Sequence, residues 1–147
     1  MTPPGNPTDS RRPRGVSLDR RLERAGLAFD TGILECHLAR DPDNVEILAE
    51  LAEAYTRTRR YREGLELDRR LVSTDPDEPL FRYNLACSLS LTGRLDEAAD
   101  ELLIAFDLGY ADLDHLERDS DLRRLREAPC FERVRQAMKS IPRRRQA

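Results

Sequence analysis

The sequence predicts an all-α chain built from antiparallel helix–turn–helix units stacked in a row. Three observations carry this expectation. A turn of one composition recurs at a fixed interval: Asp41-Pro42-Asp43-Asn44 returns 34 residues later as Asp75-Pro76-Asp77-Glu78. After each turn, apolar residues fall three, four and seven apart, the period of an amphipathic helix. Between residues 44 and 108 glycine and proline are sparse, so long helices are permitted there.

Taken in order, residues 1–16 are rich in proline, glycine, serine and arginine and lack apolar periodicity, so a disordered tail is expected. Ser17 is a candidate N-cap for a helix from Leu18 to about Leu27, and Asp30 for a second helix with Ile33, Leu34 and Leu38 on one face. Cys36 and His37 lie beside that face. The helix after the first Asp-Pro turn carries Val45, Leu48, Leu51, Ala52 and Tyr55, and Thr58-Arg59-Arg60 breaks it before a partner helix over Tyr61–Ser73. After the second turn the pattern repeats with Phe81, Leu85, Ala86 and Leu89, a break at Thr92-Gly93-Arg94, and a partner helix over Leu95–Leu108. Gly93 stands where a helix end adopts the left-handed conformation at little cost. Ala52, Ala86, Gly64 and Ala98 are small at points where two antiparallel helices must approach closely.

The register is lost after Leu108, because Tyr110 stands where the repeat would place a proline. The apolar residues that follow, Leu113, Leu116, Leu122, Leu125, Phe131 and Val134, suit short helices folded over the exposed end of a stack. Residues 142–147 form a basic tail that should fray.

Composition narrows the function. Charged residues make up 36% of the chain and aromatics 5%, which demands extensive surface. The net charge of −3 divides into +3 over residues 1–24, +5 over residues 132–147 and −11 between them. An acidic body with basic ends lacks the basic face interleaved with aromatics that nucleic-acid binding needs, so no nucleic-acid partner is expected. Three widely spaced cysteines, Cys36, Cys87 and Cys130, give no disulfide framework. No apolar run has signal-peptide or membrane-span length, so a cytoplasmic protein without a membrane partner is expected. Arginine outnumbers lysine 24 to 1, which points to a GC-rich, bacterial genome.

The repeats resemble the tetratricopeptide repeat family. The second unit carries the likeness best, through Asn84-Leu85-Ala86, Leu89, Thr92-Gly93-Arg94-Leu95-Asp96-Glu97-Ala98 and Ala105. The first matches at Leu51-Ala52, Tyr55, Tyr61, Glu63, Gly64 and Asp75-Pro76. It departs at Asp68, where the family has an aromatic or apolar residue, and at Gly64, where alanine is usual. The resemblance covers roughly residues 29–110. It implies a short right-handed superhelical array, an α-solenoid of the kind found in short bacterial tetratricopeptide proteins that end in a helical cap. The division that follows is one domain over residues 17–141: a degenerate unit 17–43, units 44–77 and 78–111, and a cap 112–141.

No residue set suggests catalysis. The two histidines, His37 and His115, form no recognisable nucleophile signature with serine or cysteine. The acidic pairs at 41/43, 75/77, 112/114 and 119/121 lack the mid-loop glycine and distal glutamate of a calcium loop and suit helix capping instead. No metal, no cofactor and no enzyme activity are expected. The resemblance implies instead a groove along the inner face of each unit's first helix, lined here by Glu46, Ala49 and Glu53, then Leu80, Tyr83, Cys87 and Leu91. The second unit's first helix is therefore apolar nearly all round and must be covered. Its cover is either the chain's own cap or a partner, with Tyr83 expected near an open mouth. The function expected is an adaptor that holds a partner peptide or helix, with the glutamates favouring positive charge. The alternative is a structural, self-associating module that buries the groove in a homodimer.

Overall fold

The computed structural model describes residues 18–142, and the expectations for the tails at 1–16 and 143–147 lie outside the described residues. Helix α1 spans Leu18–Arg40, α2 Val45–Arg57, α3 Tyr61–Thr74, α4 Pro79–Leu91 and α5 Leu95–Asp107. A C-terminal segment follows: α6 (Leu113–Arg118), a 3₁₀ turn at Ser120–Leu122, α7 (Arg123–Arg126) and α8 (Phe131–Met138). No strand occurs among the described residues.

The recurring turn works through its side chains. Asn44 caps α2 by accepting a hydrogen bond from the Ile47 N–H at 3.1 Å, and its own amide donates to Asp41 at 2.9 Å. In the second turn Glu78 caps α4, accepting from the Leu80 N–H at 3.0 Å, with Pro79 in the first helical turn, where a missing N–H leaves no hydrogen bond unmade. Gly93 has the left-handed φ of +82° expected at the α4–α5 turn. At the equivalent α2–α3 turn Arg59 adopts φ of +63° without glycine's freedom.

One expected break is absent. The helices predicted as separate, around Leu27 and from Asp30, are the single continuous helix α1. No proline falls inside it, and Gly26 and Gly32 each cost only about 1 kcal/mol, too little to end a helix. Thr31, rather than opening a new turn, donates its hydroxyl back to the Leu27 carbonyl at 2.7 Å. Residues 20–26 of α1 are exposed, and its second half packs on α2 through Leu34 and Leu38.

Two apolar clusters form the core. The first joins Leu48, Leu51, Ala52 and Tyr55 of α2 to Leu67 and Leu71 of α3, with Phe81 of α4 packed against it. The second centres on Leu85, Ala86 and Leu89 of α4 with Ala98, Ala99 and Leu102 of α5, and it takes in Leu65 of α3. Each unit thus lends a side chain to its neighbour's core, which is how a stack of hairpins becomes one body. A fully buried leucine such as Leu48, Leu51 or Leu71 contributes about 1.5–3 kcal/mol. The C-terminal segment closes the second cluster with Leu116, Leu122, Leu125, Phe131 and Val134, all buried. Arg133 of α8 donates to the Asp100 carboxylate and to the Asp96 carbonyl on α5.

Polar ties fix α1 to the first hairpin. Glu35 accepts from the Tyr55 hydroxyl at 2.9 Å and from Arg60 at 2.8 Å, while the Arg60 guanidinium also lies 4.1 Å above the Tyr55 ring. On the next pair of helices Arg82 of α4 bridges to Glu101 of α5 at 3.0 Å.

The small residue at Gly64 is not required by space. A Cβ there would lie 3.5 Å from the Ala52 carbonyl oxygen and 3.6 Å from Tyr55 Cβ, ordinary contact distances. Gly64→Ala is therefore expected to stabilise the chain by about 0.5–1 kcal/mol, read as a raised denaturation midpoint with unchanged slope. A lowered midpoint would mean that the α2–α3 contact is tighter than these distances show.

Candidate partner-binding groove

A concavity of about 630 Å³ lies between α2, α4 and the segment around α6. Ala49, Glu50, Glu53 and Thr56 line it from α2, Leu80, Tyr83, Asn84, Cys87 and Ser88 from α4, and Asp68 from α3. His115, Asp119 and Asp121 close it from the C-terminal segment.

The structure brings five of the seven expected groove residues to this place: Ala49, Glu53, Leu80, Tyr83 and Cys87. Glu46 is exposed beyond it, in the first turn of α2. Leu91, at the far end of α4, lines a separate depression with Arg59, Arg60, Tyr61, Arg62, Glu63 and Thr92. The expectation that Tyr83 stands at an open mouth is corrected. Tyr83 is 2% exposed, because the C-terminal segment lies across α4. Its hydroxyl donates to Asp119 at 2.7 Å, and its ring stacks on Tyr110 with centroids 4.4 Å apart. Cys87 is also buried, its thiol 3.6 Å from the same Asp119 oxygen. The chain's own cap therefore covers this end of α4, whereas Leu80 at its start remains 51% exposed.

Asp119 organises the wall. Its second oxygen accepts from the Asp121 N–H at 2.9 Å, and His115 Nε2 lies 3.5 Å away. The groove floor is Asp68, a residue only 4% exposed that accepts a hydrogen bond from the Ser88 hydroxyl. Burial pushes its carboxyl up to about 6, with the Ser88 bond pulling the other way. Asp121 is also raised, first by burial and then by the Asp119 carboxylate. Burial, followed by Asp119 and Asp121, holds the Cys87 thiol far above its ordinary value, so it is a protonated core residue and not a nucleophile. No cluster of three histidine, cysteine or acidic residues among the described ones is arranged to hold a metal ion.

The sequence reading missed Glu50, Asp119 and Asp121 as groove residues, and it saw Asp68 only as a departure from the repeat. A charged residue at a position patterned as apolar was the available signal for Asp68. Nothing local signals Asp119, because its place depends on how the C-terminal segment folds back.

No protein family and no curated protein matches the chain. Solved structures do. One described as MamA MSR-1 C2 aligns with a TM-score of 0.58 at 22% identity, over 80% of this chain and 63% of that one. A mutant of MamA aligns with a TM-score of 0.56 at 24% identity, over 82% of this chain and 66% of that one. The chain thus spans less than two thirds of the length of either. The likeness shows the fold: an all-α, tetratricopeptide-like helical array. Among the described residues no helix is long and apolar enough to cross a membrane.

Asp68 yields a stability prediction with a definite sign. Its folded pKa, about 6, lies above the unfolded value near 3.8. Between these pH values the folded chain keeps a proton that the unfolded chain has released, so stability falls as pH rises. Above the folded pKa the full cost of the buried charge applies, on the order of 1–3 kcal/mol. Asp68→Asn, neutral throughout and able to keep the Ser88 bond, is expected to raise the melting temperature at pH 8 and to change it little at pH 4. Destabilisation by Asp68→Asn at pH 8 would show that the ionised carboxylate is well solvated. Asp119→Ala removes the acceptor of the buried Tyr83 hydroxyl and should cost about 1–3 kcal/mol, measured by urea unfolding.

Proposed function

We propose that the chain is a non-catalytic adaptor that holds a peptide or helix of a partner protein in the groove between α2, α4 and the C-terminal segment. The observation that carries this reading is the open end of the groove. Its walls are fixed by packed helices, it is about 630 Å³ in volume, and Leu80, which lines it, stands exposed. A concavity of this size with an apolar lip and a few placed polar groups is the usual form of a binding site. The likeness to MamA structures supports the fold on which such a groove is built. The fold hosts many roles, so the site and not the fold carries the proposal.

A second reading has its own observation. On α1, Leu22, Phe29 and Ile33 are large, apolar and exposed, Phe29 by 70%. This face suits contact with another copy of the chain, giving a self-associating module.

Capture of partners from the native cell lysate by the tagged chain, read by mass spectrometry, separates these readings. Leu80→Arg/Glu53→Arg changes only exposed groove positions, so circular dichroism should remain that of the unaltered chain. A specific protein captured by the unaltered chain and lost by this variant supports the adaptor. An identical set of captured proteins sinks the groove as the site. If only the chain itself is recovered, and Phe29→Glu makes its sedimentation mass independent of concentration, the self-associating reading stands instead.

A further inference from the structure

We infer that the groove's occupant is a partner segment bearing an arginine or lysine, whose cationic head enters between α2 and α4 and pairs with the open oxygen of Asp68. This rests on the adaptor reading and specifies the chemistry of its partner.

The first argument is the distribution of charge. The lining contains Glu50, Glu53, Asp68, Asp119 and Asp121, and no lysine or arginine among the described residues. Elsewhere several acids pair with arginines. Glu35 and Glu63 pair with Arg60, Glu66 with Arg69, Glu97 with Arg94, Glu101 with Arg82, and Asp100 with Arg133. Among the described residues, none of the five groove carboxylates forms an ion pair with an arginine: Arg57 shares a neighbouring depression with Glu50 and Glu53, and Arg126 donates to the Asp119 backbone carbonyl at 2.7 Å and not to its carboxylate. His115 beside Asp119 carries charge only when protonated.

The second argument is Asp68 itself. One carboxylate oxygen accepts from Ser88. The other has no donor among the described residues, yet it is not among the sealed polar atoms without partners, and the residue lines the cavity. It therefore opens toward the groove. Asp68 on the floor and Asp119 and Asp121 on the wall each lie near enough to Cys87 to disfavour its thiolate. An anionic floor with low-dielectric walls attracts a cation far more strongly than an exposed surface does. Leu80 and Ala49 in the lining suit the aliphatic stem of a long basic side chain, which covers apolar surface while its head is solvated by carboxylates.

The test uses the full ¹⁵N-labelled chain and two short capped alanine–leucine peptides, one with a central arginine and one with citrulline, its neutral near-isostere. Dissociation constants come from amide shifts of groove residues such as Ala49, Asn84 and Ser88. The arginine peptide is expected to bind about tenfold or more tightly. Asp68→Asn/Asp121→Asn should abolish that preference while leaving citrulline-peptide affinity unchanged. Equal affinities with groove shifts would overturn the cation while keeping the groove as a peptide site. An arginine preference that survives the double variant would place the cation elsewhere and overturn the assignment to Asp68. Binding of neither peptide would also overturn it, and the capture experiment would then judge the adaptor reading separately. The chain's own arginines are the remaining candidate. Replacing Arg11, Arg12, Arg14 and Arg143, Arg144, Arg145 by glutamine should leave arginine-peptide affinity unchanged. A large gain would make the chain's own end the occupant and overturn an external partner.

Discussion

The structure depends on covering α4. Tyr83, Leu85, Ala86, Cys87 and Leu89 are all buried, and they spread over more of the helix than one packed face. The α5 hairpin partner covers one side and α3 another, and the stack would end there with the rest of the helix in water. The C-terminal segment supplies the missing contact. It is held by apolar side chains that need only hydrophobic burial, by Arg133 on α5 and, against α4, by the directional tie from the Tyr83 hydroxyl to Asp119. A buried phenol without an acceptor is costly, so this bond fixes where the segment lies as well as adding stability. Tyr110 stacked on Tyr83 continues the cover back toward the end of α5.

The same arrangement makes the groove. Because the segment crosses α4 at Tyr83 and Cys87 and leaves Leu80 clear, the concave face is blocked at one end and open at the other. Asp119 belongs to both features: it anchors the cap and walls the groove. The floor sits at the seam between the two units, where Asp68 of α3 meets Ser88 of α4. This buried polar contact joins the units within a seam otherwise made of Leu65, Phe81 and their neighbours.

Much of this was legible in the sequence, because local chemistry determines it. The turns at Asn44 and Glu78, the positive φ of Gly93 and the helices α2 to α5 follow from composition and period alone. What failed did so for physical reasons. The extra helix start at Asp30 relied on a capping residue in the absence of any true breaker, and two isolated glycines did not outweigh the hydrogen-bond ladder of α1. Tyr83 lines the groove as expected, but it was read as standing at an open mouth because periodicity assigns it to the inner face. Periodicity cannot show that a segment some 36 residues later will return to cover that face, and the hydrogen bond to Asp119 spans that separation. Leu91 lies on the same sequence stripe but a full turn beyond Cys87, past the end of the cavity.

Asp68 is the place where the local rules conflict. The repeat pattern, the neighbouring leucines and the burial all favour an apolar side chain, and an apolar side chain would be the more stable choice. A buried carboxylate held against that gradient is the kind of inconsistency that accompanies a functional site more often than a structural one. A cation bound there removes the conflict. It stabilises the ionised form of Asp68. Binding and cap docking are then linked. A guest that prefers the ordered wall stabilises it, and any change that loosens the Asp119–Tyr83 tie weakens the guest by the same free energy. The cap that walls the groove and the guest that fills it thus support each other, and the stability given up at Asp68 is recovered when the site is filled.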